Sequence, residues 1–387
     1  MDSVQAFQDH VDDLTDLELA VLLSLVAQHH CMVVAGDDLL DDLASELALI
    51  VRDMFNLSYI ILDRDDLQSV DAFGAAILDE DNNDPDEPEN DADASLGKVR
   101  ISFLVFDSRS KHFQPAMLNS QLAAVDFRYP SSSLLEGAKL DTRKVVNVVI
   151  AKGFNFAHED VQIQALELIR KRRIYSRTTV HPAPNVFLLL PLVAASSKHI
   201  RLIKHLNDRI FISHSHSPED GFPNLEELDE IGHSEDHDSS YSYSRSPSAR
   251  RQEMIASRRI DAKLIQQLRA QGQATTITPE IRRYLQDVVA FLRMERGVDD
   301  GVSPYATTLF LALAKYLAPF HGIDYVTPSL VALAAKKVYP HRIIMATPSR
   351  ERSTQYGTDL SLAHDLVIDL DQDKVIQAVL DTVECPV

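Results

Sequence analysis

Gly36 follows a short apolar run, Cys31-Met32-Val33-Val34-Ala35, and precedes a stretch, Leu39 to Phe55, whose spacing predicts an amphipathic helix. A glycine between strand and helix cradles phosphate when the loop reads G-x-x-x-x-G-K-[ST]. The glycines admit backbone N–H groups, the lysine neutralises charge and the hydroxyl holds magnesium. Counted from Gly36, the second glycine is Asp41, the lysine is Asp42 and the hydroxyl is Leu43. With Asp37 and Asp38, four carboxylates crowd this loop. One like-charge contact at about 4 Å costs ~1 to ~4 kcal/mol, depending on effective dielectric. The loop therefore reads as an acidic, solvated helix start, because aspartates in a first turn complement the helix dipole.

Other chemistry-bearing residues are less ordered in their spacing. His205, His214, His216, His233 and His237 lack any ligand pattern such as H-E-x-x-H, so no metal site is expected. Only Cys31 and Cys385 are present, which excludes a disulfide framework or a cysteine-rich zinc site. The basic run Arg170-Lys171-Arg172-Arg173, followed by Arg177, is expected to cap a helix C-terminus, where cations are favoured. Ser246-Pro247, among arginines, reads as a candidate phosphorylation segment.

These residues must be positioned by a chain of 387 residues, long enough for two or three folded units, with the 45% hydrophobic and 25% charged composition of a globular protein. The longest uncharged apolar run, 186–195, is far short of the roughly 20 residues of a membrane span. The start carries Asp2, Asp9, Asp12, Asp13 and Asp16 with no early basic residue, unlike a secretory or organellar leader, so a cytosolic or nuclear protein is expected. The net charge of −20 is concentrated in 79–93 and 219–238, each with nine acidic residues and no Lys or Arg, and the rest is nearly neutral. Neither nucleic acid nor a membrane surface is expected as a partner.

Residues 79–95 and 214–250, acidic and Ser-rich with little to bury, read as a disordered insertion and a disordered linker. Between them, 1–213 alternates short apolar strands (31–35, 59–62, 101–106, 145–151, 186–190) with helices, one carrying Leu17, Val21, Leu22, Leu25 and Val26 and another at 159–170. That alternation predicts an α/β domain with a parallel sheet covered on both faces. Residues 251–342 are all-helical, with starts marked by Thr278-Pro279, Ser303-Pro304 and Thr327-Pro328. Residues 343–387 supply an expected strand at 365–370 and a last helix from about Asp373 to Val383, packing back on the body.

An αβα parallel-sheet domain followed by a helical lid is the layout of AAA+ ATPases. The stretch VSPYATTLFLALAKYLAPFHGIDYVTPSLVALAAKKVYPHR resembles the lid of the MoxR-like and magnesium chelatase I-subunit branch, with Gly322 to Pro328 before a helix that ends in His341-Arg342. The ending VIQAVLDTVECPV is similar to the close of MoxR-like chains. The resemblance implies an acidic pair where this chain has Lys152-Gly153, just before FNFAHEDVQIQALELIRKRRI, which is similar to the helix that follows that pair. It implies a polar sensor where Ala194 stands and a lid arginine where Tyr305 stands. Asp208-Arg209 resembles the segment that carries an inter-subunit arginine, so Arg209 is a candidate to act in trans.

A Lys cannot coordinate magnesium, so this loss is independent of the one at Gly36. The two losses together imply a catalytically degenerate protein of this type, a non-hydrolysing scaffold or interaction subunit without a nucleotide or metal. Its partners would be proteins, homologous AAA+ subunits among them. The alternatives are a working ATPase subunit of a magnesium chelatase-like complex, with ATP and Mg²⁺, and an inactive ring subunit that donates Arg209 to a neighbour. Without nucleotide to join sheet and lid, Tyr305 is expected to fill the vacated cleft.

Overall fold

A computed structural model describes residues 7–8, 11–79, 143–175, 179–195, 202–233, 258–351, 360–367 and 370–386. Helix α1 (Asp16–Ala27) opens with a reciprocal cap: the Thr15 hydroxyl accepts from the Glu18 N–H, and the Glu18 carboxylate accepts from the Thr15 N–H. Strand β1 (His30–Ala35) follows, then α2 (Leu40–Leu49), which continues as a π turn over Ile50–Met54, so Leu39 to Phe55 is close to one helical unit. The other main elements of this half are β2 (Tyr59–Leu62), α3 (Val70–Ala76), β3 (Val148–Ala151), α4 (Glu159–Lys171), β4 (Leu188–Ala194), α5 (Lys204–Asn207), β5 (Ile210–Ser215) and α6 (Pro223–His233).

These five strands pair in parallel in the order β2-β3-β4-β1-β5, and three short antiparallel pairs lie outside this sheet: Leu78–Asp79 with Lys144–Val145, Arg173–Tyr175 with Val180–Pro182, and Val298–Asp300 with Ile344–Met345. Alternation along β1 divides the core. Cys31, Val33 and Ala35 join one apolar cluster with α1, α2 and the later helices, whereas Met32 joins a second with α3 and α4 on the other face. Strands buried on both faces are why their sequences are continuous apolar runs. The second half is α7 (Ala262–Ala274), α8 (Pro279–Met294), α9 (Pro304–Leu317), α10 (Pro328–Val338), α11 (Leu360–Val367) and α12 (Gln372–Thr382). Thr278, Ser303 and Thr327 cap α8, α9 and α10 by accepting from the N–H of Ile281, Ala306 and Leu330, each with proline in the first turn. The expected α/β domain followed by a helical lid is the observed fold.

Several local expectations are corrected. Part of the expected linker 214–250 is ordered: Ser215 ends β5 and α6 occupies 223–233, because Glu46 supplies the cap its sequence lacks by accepting from the Asn224 and Leu225 N–H groups. The expected strand at 365–370 is replaced through Val367 by helix α11, since Leu362, Ala363, Leu366, Val367 and Leu370 follow a helical period once read from upstream. The last helix buries Val375, Ile376 and Val379 against the lid helices α8 and α10 rather than against the sheet domain. β4 runs past Pro191, whose missing N–H lies on the β1 side, where the pairing of β4 with β1 begins only at Leu192. The expected strand at 101–106, the segments 80–95 and 234–250, and with them His237 and Ser246, lie outside the described residues, as does Arg177.

Candidate functional site

The carboxyl ends of β1, β2 and β3 gather most of the residues singled out in the sequence. Gly36 leaves β1 and a short 3-10 turn, Asp37–Leu39, leads into α2, giving the strand, loop and helix order expected. Gly36 has φ −59°, a conformation open to any residue, so its backbone does not demand glycine. The Asp38 carboxylate folds back over it: a Cβ at Gly36 would lie 2.6 Å from Asp38 Oδ1. Asp41 and Asp42 are exposed in the first turn of α2, while Leu43 is fully buried in the core.

Lys152 follows the last residue of β3, its N–H donating to the Leu62 carbonyl, and Gly153 turns the chain in the left-handed region at φ 59°. The Lys152 ammonium donates to Asp41 Oδ1 at 2.7 Å and lies 2.5 Å from Asp63 Oδ1. Burial alone would lower the Lys152 pKa, but the hydrogen bonds to both carboxylates outweigh it, and the net shift is upward. One lysine thus ties the starts of the loops after β2 and β3 to the first turn of α2. Ala194 closes β4, and its N–H donates to Asn155 Oδ1 at 3.3 Å. Arg64 lies over the exposed ring of Phe156, 5.1 Å from its centroid.

This donor set does not fit a magnesium nucleotide. The Asp38 carboxylate lies against Gly36, an acid stands at Asp42 in place of a cation, Leu43 is core, and Lys152 is held by two carboxylates. Asp63 and Asn155 join the site without a sequence signal of their own. Asp63 follows an apolar strand among other aspartates, and only the strand pairing brings it to Lys152.

Tyr305 and Arg209 are not part of this cluster, which corrects the expectation that Tyr305 fills the cleft. Arg209 immediately precedes β5, whose first residue, Ile210, pairs with His30 at the amino end of β1. The six residues of β1, roughly 20 Å of strand, separate that end from Gly36. There the Arg209 guanidinium lies 4.3 Å from the centroid of the half-buried Tyr305 ring. Ser303 donates to Asp208 Oδ1 at 2.6 Å, and Asn207 Nδ2 to the His341 carbonyl at 2.7 Å. Buried Arg342 donates to the carbonyls of Val338, Asp208 and Ile210, with Asp208 Oδ1 3.8 Å from its Nε; burial lowers its pKa to about 10. Lid and sheet domain are therefore joined by His341, Arg342, Ser303 and Tyr305 at the amino edge of the sheet.

The buried histidines form no metal cluster: among the described residues no group of three or more His, Cys, Asp or Glu is placed to hold an ion. No helix among them is long and apolar enough to cross a membrane.

Residues 291–359 match the AAA lid domain family. The fold as a whole is similar to a crystal structure of a candidate ATPase from Cytophaga hutchinsonii ATCC 33406, with TM-score 0.58 and 14% identity, over 100% of this chain and 96% of that one. Sheet order and lid together give the chain the AAA+ fold, an α/β domain followed by a helical lid. In sequence, the chain is similar to two proteins called Maintenance of telomere capping protein 2. It is 33% identical over 104 residues to that of Eremothecium gossypii, covering 25% of this chain and 38% of the relative. It is 32% identical over 106 residues to that of Lachancea thermotolerans, covering 26% and 37%. The chain thus spans less than two-fifths of the length of these relatives.

Proposed function

We propose that this chain is a catalytically degenerate AAA+ protein of the MoxR-like and magnesium chelatase type, a non-hydrolysing scaffold or interaction subunit. The observation that carries the reading is the Lys152 bridge to Asp41 and Asp63. A working site places a lysine on the glycine loop and carboxylates after the third strand, so that phosphate and magnesium bridge the two. Here the signs are exchanged, and the loops attract each other directly. A nucleotide bound there would have to break that ion pair and then face Asp37, Asp38 and Asp42.

The names of the relatives support a part in the maintenance of telomere capping, and with it we infer protein partners and a nuclear setting for this chain. Arg209 stacked on Tyr305 supports a part in holding the lid in cis over donation to a neighbour's site. The test is thermal melting of the full chain with and without millimolar Mg-ATP. A ligand at 100 times its Kd adds ~2.7 kcal/mol, which raises the midpoint by several degrees. An unchanged midpoint is expected; a rise of ~5 °C would return the protein to the ATPases.

A further inference from the structure

Helix α4 ends at Lys171 with Arg172 in the left-handed C-cap conformation, φ 55°, and the chain turns at once into a two-stranded antiparallel ribbon, Arg173–Tyr175 with Val180–Pro182. The ribbon has two unlike faces. Ile174 and His181, opposite each other, are buried, and the His181 ring is fixed between the Arg143 carbonyl and the Thr179 hydroxyl, each at 2.8 Å. Arg173, Tyr175, Val180 and Pro182 point the other way and are exposed, Tyr175 by 47% and its partner Val180 by 51%. A rigid backing thus presents an aromatic ring to solvent, with the Arg173 guanidinium 5.5 Å from its centroid.

The capping role expected for the basic run accounts for Arg170 and Lys171, which lie in the last turn of α4. It does not account for Arg173, beyond the helix on the exposed face. Lys171 pairs with Glu167 at 2.7 Å, whereas Arg170 and Arg173 have no ion-pair partner among the described residues.

We propose that the outward face of this ribbon binds single-stranded nucleic acid, with Tyr175 as the surface on which a base stacks and Arg173 and Arg170 as contacts to phosphate. Cations beside an exposed aromatic ring match a polyanion whose monomers are planar rings, and a duplex, whose bases are already stacked, satisfies only the charges. Neither the degenerate nucleotide site nor the lid interface takes part, so the failure of one proposal leaves the other standing.

The test is fluorescence anisotropy of the full chain with labelled oligo(dT), oligo(U) and a duplex, each of about 30 nucleotides, at low and then rising salt. Both single strands are expected to bind more tightly than the duplex, with affinity falling as salt rises, and the ratio of the two affinities assigns the sugar. Tyr175→Ala is expected to weaken single-strand binding by about tenfold while Tyr175→Phe retains it, and Arg173→Ala to reduce the salt slope by about one. All three substitutions fall on exposed positions, and unchanged melting midpoints confirm that the variants fold. No binding by the parent chain, equal affinity for the duplex, or an unaffected Tyr175→Ala variant overturns the proposal.

Discussion

Lowering the pH from 7 to 5 should strip the protein of much of its stability, because its sheet is flanked by histidines that the fold keeps neutral. Burial pushes His29 and His214 down to about 4, and burial followed by the neighbouring His29 pushes His30 down to about 3. His30 Nδ1 accepts the Leu189 N–H at 3.0 Å, a bond that protonation would destroy. In the unfolded chain each titrates near 6.5. The folded pKa values lie lower, so the unfolded chain binds more protons below pH 6.5. Stability is complete above that value and lost as pH falls, with His29 and His214 levelling near 4. At pH 5 the unfolded side chain is about 1.5 units below its pKa, which is about 2 kcal/mol per histidine. The three together give about 6 kcal/mol, a large share of the roughly 5–15 kcal/mol that holds a domain together. Far-UV circular dichroism melts at pH 7.5, 6 and 5, at constant ionic strength, measure the loss, and His214→Gln should reduce the drop by about 2 kcal/mol. Equal midpoints at pH 7.5 and 5 would refute the reasoning.

The Lys152 bridge is predicted to be modest in energy. Asp41 and Asp63 side chains are 84% and 65% exposed, so Lys152→Ala should cost about 1 kcal/mol in dilute buffer and less in concentrated salt. A loss as large in concentrated salt as in dilute buffer, read from paired melts, counts against an ionic bridge. Tyr305→Ala should cost about 1–2 kcal/mol, since the ring is half-buried at the edge of the core and lies against the Arg209 guanidinium. Chemical denaturation that finds no change would remove Tyr305 from the lid interface. Arg342→Met should cost about 3 kcal/mol or more, because the carbonyls of Ile210 and Val338 lose a buried donor. An Arg342→Met variant as stable as the parent, in the same assay, shows that the clamp contributes little.

Legible in the sequence is whatever is written locally. Runs such as Val148–Ala151 and Leu188–Leu190 are apolar because both faces of a parallel strand are covered, and the Thr-Pro and Ser-Pro pairs announce helices because the hydroxyl and the ring act within one turn. The exchange of charge at the site is visible there only as two separate losses. Lys152 and Asp41 are 111 residues apart, and nothing in either neighbourhood records that β2, β3 and β1 end at the same edge of the sheet. Helix α6 is hidden for the same reason, its cap being the carboxylate of Glu46, far away in sequence. Tyr305 lies away from the cleft because the order of domains does not say which edge of the sheet a lid touches; Arg342, buried beneath β5, decides it.

The most direct measurement is a calorimetric titration of the full chain with Mg-ATP. The exchanged charges at Asp41 and Lys152, with Leu43 in the core, predict no saturable heat up to millimolar nucleotide. A micromolar dissociation constant with one-to-one stoichiometry would contradict it, and would mean that Lys152 leaves Asp41 and Asp63 to make way for phosphate.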